Sequence, residues 1–182
     1  MISFRKTLLL LTAFTAISLY SFAEDLPRGY KDITLGMSLE ETKDSLVKDP
    51  AFGYHGDRDV SLIPNSSKTL IETDAERGIG SHFLTRCWFQ FTFDQLYIIT
   101  INLNPEAIDY YSVFTKLVDK YGQPTSFNPQ SATWKNDEVT MSLEKPLTLK
   151  YIDNKLFEQT QNYSNIQESP TEITQQMFLD EL

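Results

Sequence analysis

The side chains best suited to nucleophilic or metal chemistry in this chain are few: His55, His82 and a single cysteine, Cys87. No two of them stand at a Cys-x-x-Cys or His-x-x-x-His spacing, so the sequence offers no zinc ligand set. Cys87 alternates with Phe89, Phe91 and Phe93 in "RCWFQFTF". A thiol on that apolar strand face is expected to be a small buried hydrophobe with a raised pKa rather than a nucleophile. No Gly-x-Ser-x-Gly elbow is present, and Ser81, beside His82, lies in a glycine-flanked loop without a matching acid.

Carboxylates are the remaining chemical resource. Asp57-Arg58-Asp59 and Asp74-Ala75-Glu76 fall in turn-rich stretches where oxygen ligands could converge, yet neither fits a twelve-residue calcium loop and each has an arginine in or next to it. Solvated acidic loops are the favoured reading, and a hydrolase acting through these carboxylates ranks third among the functions considered. Gly78-Ile79-Gly80 lacks the third glycine and the following helix of a dinucleotide fingerprint, so it reads as a hinge or turn. The sequence therefore predicts no catalytic residue, no metal and no cofactor.

The elements that would carry any site follow from periodicity. "GMSLEETKDSL" contains Ser38-x-x-Glu41, a capping box, followed by Leu39, Thr42 and Leu46 at helical spacing, and Asp49-Pro50 ends the run. Val60 to Ile63 and Lys68 to Thr73 are modest strand candidates. "RCWFQFTF" and "LYIITINL", which places Tyr97, Ile99, Ile101 and Leu103 on one face, predict an antiparallel hairpin turning at Asp94-Gln95. Asn104-Pro105-Glu106 is read as a helix start, with Ala107, Tyr111, Phe114, Leu117, Val118 and Tyr121 as its apolar stripe and Gly122 as its stop. "ATWK", "EVTMSLE" and "LTLKYID" predict short strands. Residues 158–170 read as a polar tether. Ser169-x-x-Glu172 then opens a short amphipathic helix with Ile173, Met177, Phe178 and Leu182.

The expected fold class is α+β, an antiparallel sheet with helices packed on one face and a helix-then-strands order that occurs twice. The expected organisation is a signal peptide over residues 1–23, an α+β domain over 24–157 with pseudo-repeat halves 30–103 and 104–157, and a tail over 158–182. If helices cover the face bearing Cys87, the opposite face shows Trp88, Gln90, Thr92, Thr100 and Asn102, a tryptophan among small polar groups that is typical of protein-binding surfaces. The competing reading is that the loop from Ala51 to Gly80 covers it. Trp88, Gln90 and Thr92, with Met177 and Phe178 of the terminal helix, are the candidate partner-binding residues. The face of Trp134 is not fixed by its surroundings.

Basic Arg5 and Lys6, an uncharged apolar run from Thr7 to Phe22 and the Ser21-Phe22-Ala23 ending together read as a cleavable export signal, an uncleaved anchor being the alternative. Cleavage after Ala23 leaves 159 residues, enough for one domain with its own core. It also leaves 14 basic against 25 acidic residues, a net charge of −11. Such a surface repels nucleic acid and anionic lipid, so neither partner is expected, and no membrane insertion is expected after cleavage. With one cysteine no internal disulfide forms. The 182 residues include two Trp, nine Tyr and twelve Phe, of which all but Phe4, Phe14, Tyr20 and Phe22 remain after cleavage to supply a core instead.

"ITLGMSLEETKDSL" and "KLVDKYGQPTS" together resemble small exported bacterial envelope proteins: the outer-membrane assembly lipoproteins of the SmpA/OmlA (BamE) type and the β-lactamase-inhibitor-like modules. The resemblance implies a helix-then-sheet plan and action by binding other proteins, with no catalytic residues to carry over. The chain departs from the lipoprotein members in having no lipid-bearing cysteine. The sequence thus leads to an exported, periplasmic or secreted, non-enzymatic module that binds an envelope or extracellular protein. A binder of a small apolar or lipid-like ligand between helix and sheet is the alternative.

Overall fold

The structure, a computed structural model, describes residues 25–62, 67–75 and 82–166. The expected export signal, the expected hinge or turn at Gly78–Gly80, Glu76, Ser81 and the expected terminal helix with Met177 and Phe178 lie outside the described residues. A small hairpin, β1 (Gly29–Tyr30) with β2 (Ile33–Thr34), leads into α1 (Leu39–Lys48). Four strands follow: β3 (Val60–Leu62), β4 (Lys68–Asp74), β5 (Leu84–Thr92) and β6 (Gln95–Leu103). Helix α2 (Tyr110–Tyr121) then precedes four more, β7 (Ser126–Phe127), β8 (Ser131–Lys135), β9 (Val139–Glu144) and β10 (Thr148–Asp153), and α3 (Asn154–Ile166) closes the described chain. All eight strands from β3 onward form one antiparallel α+β sheet in the order β3-β4-β5-β6-β10-β9-β8-β7. A helix followed by a four-stranded meander thus occurs twice, and the two meanders meet along β6 and β10.

Alternation decides what each face carries. Ile71, Phe89, Ile99, Tyr151, Met141 and Trp134 are successive partners across six strands, and Thr73, Cys87, Ile101, Leu149, Leu143 and Ala132 form the parallel row beside them. Every one of these twelve side chains is buried. Leu46 of α1 and Phe52, in a 3-10 turn after it, join this core, with the Phe52 ring edge-on to Phe89 at 5.9 Å. Helix α2 lays Val113, Phe114, Leu117, Val118 and Tyr121 on the same face. The Trp134 indole donates to the Gly122 carbonyl at 2.8 Å, which fixes the end of α2 to β8 and assigns the tryptophan to the core face.

The start of α1 is built twice over. Ser38 Oγ accepts from the Glu41 amide while Glu41 Oε2 accepts from the Ser38 amide at 2.9 Å, so the capping box is present. Asp94, in the β5–β6 turn, also accepts from the Leu39 amide at 2.9 Å. Gly36 and Met37 exchange backbone hydrogen bonds with Leu96, at 2.7 and 2.8 Å, so the residues before the helix extend the ladder of β6.

Four local expectations are corrected. The hairpin turns at Phe93-Asp94, both with positive φ of 48° and 59°, rather than at Asp94-Gln95. Positive φ at both central residues matches the twist of the flanking strands. It also takes Phe93 off the core face and leaves its ring exposed, edge-on to Tyr163 of α3 at 5.3 Å. An irregularity between Gln90 and Phe91 pairs Gln90 with Ile98 but Phe91 with Leu96, so Leu96 takes the core position and Tyr97 is the extra, bulged residue. Helix α2 starts at Tyr110, not Glu106: Asn104 organises a turn by accepting from the Glu106 amide, and Asp109, accepting from the Ser112 amide at 2.9 Å, is the actual cap. Ala107 and Tyr111 are therefore exposed and Tyr110 takes the inward position. The stretch from Glu158 to Ile166, read as a tether, is helical in α3. Asp153 accepts from the Leu156 amide at 2.9 Å and Thr160 is buried, so a cap and a packed face offset the polar composition.

Candidate partner-binding face

The side of the sheet opposite the core is assembled from the alternate residues of the same strands. Its central row runs Glu72, Trp88, Thr100, Lys150, Ser142 and Thr133, and the neighbouring row runs Leu70, Gln90, Ile98, Ile152, Thr140 and Lys135. Much of it is polar and internally satisfied. Lys150 donates to both Glu144 oxygens at 3.0 Å, Ser142 donates to Glu144 at 2.8 Å and Thr148 donates to Asn102 at 2.8 Å. Arg86 sits 3.3 Å from Glu72. Those contacts tie the side chains of this face to one another.

Trp88 and Gln90 differ from these neighbours in lying half-buried beside open space. They line a cleft of about 380 Å³ together with Lys68, Thr69, Leu70, Phe91 and Tyr97. The bulge produces it. Without the extra residue at Tyr97, the phenol would share the core face with Ile99; displaced, it turns toward Trp88 and Leu70, where burial pushes its pKa up. In the described part of the loop from Ala51, Phe52 packs on Phe89 in the core, and Val60–Leu62 and Lys68–Asp74 are strands of the sheet itself. Thr92 is a correction: it is only 1 % exposed. It is the last residue of β5, paired with Lys68 on one side and Gln95 on the other, and no surface of it is left for a partner. Sequence alternation identified Trp88 and Gln90. It missed Leu70, which needed the β4–β5 pairing, and Tyr97, which needed the bulge.

The other chemically suggestive residues are accounted for in place. Cys87 is fully buried and burial pushes its thiol up to about 12, so it is not a thiolate at neutral pH. Its strand partner Thr73 carries a buried hydroxyl that makes no well-formed hydrogen bond. Asp59 accepts from the His55 amide at 2.7 Å and lies 3.4 Å from its Nδ1. Asp57 and Glu40 both hold the Lys43 ammonium, at 3.0 and 2.9 Å, and the hydrogen bond to Glu40, then that to Asp57, raises the Lys43 pKa. Among the described residues no group of three or more His, Cys, Asp or Glu side chains could hold a metal. A second opening of about 480 Å³ is lined by Asp25, Leu26, Arg28 and Asn136 to Glu138. Its arginine is already engaged, at 2.7 Å by Glu138 and 2.9 Å by Asp153.

Among the described residues no helix is long and apolar enough to cross a membrane. Comparison with curated proteins and with solved structures finds no match for this chain. A family model described as the TP0088 domain matches residues 28–163, a stretch that holds both helix-then-meander units, the Trp88 cleft and the Tyr163 ring that meets Phe93. On that match the chain belongs to the TP0088 domain family.

Proposed function

We propose that this chain is an exported, non-catalytic protein-binding module of the bacterial cell envelope that takes its partner on the open sheet face around Trp88. The observation that carries the reading is the cleft itself: an indole, a leucine and a phenol converge there beside one amide and one ammonium, on a sheet face where Lys150 bonds Glu144 and Thr148 bonds Asn102. Large amphipathic rings at the centre of a polar rim are the usual composition of a binding hot spot. The acidic surface, the basic and apolar leader and the resemblance of Gly36–Leu46 and Tyr121–Pro124 to envelope proteins that act by binding other proteins support the same reading.

Capture of partners from the envelope fraction by the purified chain, compared with Trp88→Ala and Gln90→Ala, tests it. Removing the indole should weaken capture by at least about tenfold, in keeping with a hot-spot loss of ~2 kcal/mol, and Gln90→Ala should weaken it less. Far-ultraviolet circular dichroism should stay unchanged, since Trp88 is outside the core. Equal capture by the wild-type chain and Trp88→Ala would overturn the proposal.

A further inference from the structure

The Trp88 cleft has a candidate occupant in the same chain. Helix α3 leaves β10 and ends beside the β5–β6 turn, where Tyr163 packs on Phe93 at 5.3 Å. Phe93 follows Thr92, and the pair partner of Thr92 is Lys68, on the rim of the cleft. The sixteen residues after Ile166 therefore leave α3 three residues past Tyr163, on the side of the molecule where the β5–β6 turn and Lys68 lie. They are acidic, with Glu168, Glu172, Asp180 and Glu181 and no basic residue, and their large apolar side chains are Ile173, Met177, Phe178, Leu179 and Leu182.

Resting on the reading of this face as the partner-binding surface, we propose that residues 167–182 occupy the Trp88 cleft in the free protein, with Met177 and Phe178 against Leu70, Trp88 and Tyr97. The reach is sufficient for a tail that is at least partly extended. From Phe93 back to Trp88 along β5 is about 17 Å at ~3.4 Å per residue. The eleven residues from Gln167 to Met177 cover about 37 Å when extended at ~3.4 Å per residue, and Pro170 interrupts a continuous helix. The chemistry matches as well: a thioether and a phenyl ring suit a floor of indole, phenol and leucine, and the acidic residues meet a rim that carries the Lys68 ammonium. Intramolecular attachment adds a high effective concentration, so even a weak intrinsic affinity keeps the cleft filled. The occupant of the cleft is then an acidic peptide bearing Met and Phe, and an external partner of that chemistry competes with the tail.

The chain has two tryptophans, and Trp134 is only 2 % exposed, so acrylamide quenching reads Trp88. In the full chain Met177→Asp/Phe178→Asp is expected to shift emission to the red and to raise quenching, and a synthetic peptide of residues 167–182 added to that variant is expected to reverse both. In a Trp88→Phe background the same double substitution is expected to change nothing. Quenching identical in the wild-type chain and the double variant would overturn the inference, as would failure of the peptide to protect Trp88. This readout needs no partner, so its failure leaves the capture experiment to decide the function, and failure of the capture experiment leaves the tail's position to be decided here.

Discussion

Gly53 follows the Phe52 turn with φ 63° and lies against the backbone of Asp74 at the end of β4, where any Cβ would drive into the Asp74 carbonyl. Both the left-handed backbone and the close approach exclude a side chain. Gly53→Ala is expected to cost at least about 2 kcal/mol, read as a lower urea midpoint. Cys87 makes a different prediction. Its pKa is raised from 9.0 to about 12, and burial raises those of Tyr151, Tyr97 and Tyr110 as well. The unfolded chain releases these protons first, so between about pH 9 and 12 it binds fewer protons than the folded one and stability falls as pH rises. Urea midpoints should be flat from pH 7 to 8 and decline above pH 9, and Cys87→Ala should flatten the first part of that decline. A maleimide should label Cys87 only in denaturant. Rapid labelling of the native chain would contradict the burial of the thiol.

Between elements, one of the two caps on α1 comes from outside the helix. Asp94 closes the β5–β6 turn at φ 59° and caps the Leu39 amide. Asp94→Ala is expected to cost about 1 kcal/mol by chemical denaturation, and Asp94→Asn, which keeps an acceptor and tolerates the backbone, far less. The capping box was legible because both of its partners lie within four residues, and the core rows were legible because alternation of Cys87, Phe89 and Phe91 needs no knowledge of the neighbouring strand. The bulge at Tyr97, the Phe93-Asp94 turn and the late start of α2 were not, since each is settled by a partner distant in sequence or by a competing cap one turn further on. The same limit applied to the cleft: Trp88 and Gln90 could be read from one strand, whereas Leu70 and Tyr97 belong to it only through pairing. The helical run to Ile166 escaped notice because its support, Asp153 and the packing of Thr160, lies at one end and on one face of a polar stretch.

For the whole molecule the decisive contact is the β6–β10 pairing, five residue pairs that join the two meanders. Ile99 and Ile101 meet Tyr151 and Leu149 across it, so each meander alone would expose the centre of the core. Unfolding is expected to be a single transition, coincident by near- and far-ultraviolet dichroism. A fragment of residues 25–104 is expected to lack the near-ultraviolet signal of the full chain. Two resolved transitions, or an independently folded fragment, would count against this.

The outermost strands, three residues of β3 at one side and two of β7 at the other, leave few free amides and carbonyls in line, although each carries an exposed apolar side chain, Leu62 or Phe127. A wide sheet usually risks recruiting further chains strand by strand into fibres; here the template at each border is too short to hold an incoming strand in register. The protein should therefore stay dispersed at concentrations where a sheet of this width with full-length borders would grow into aggregates.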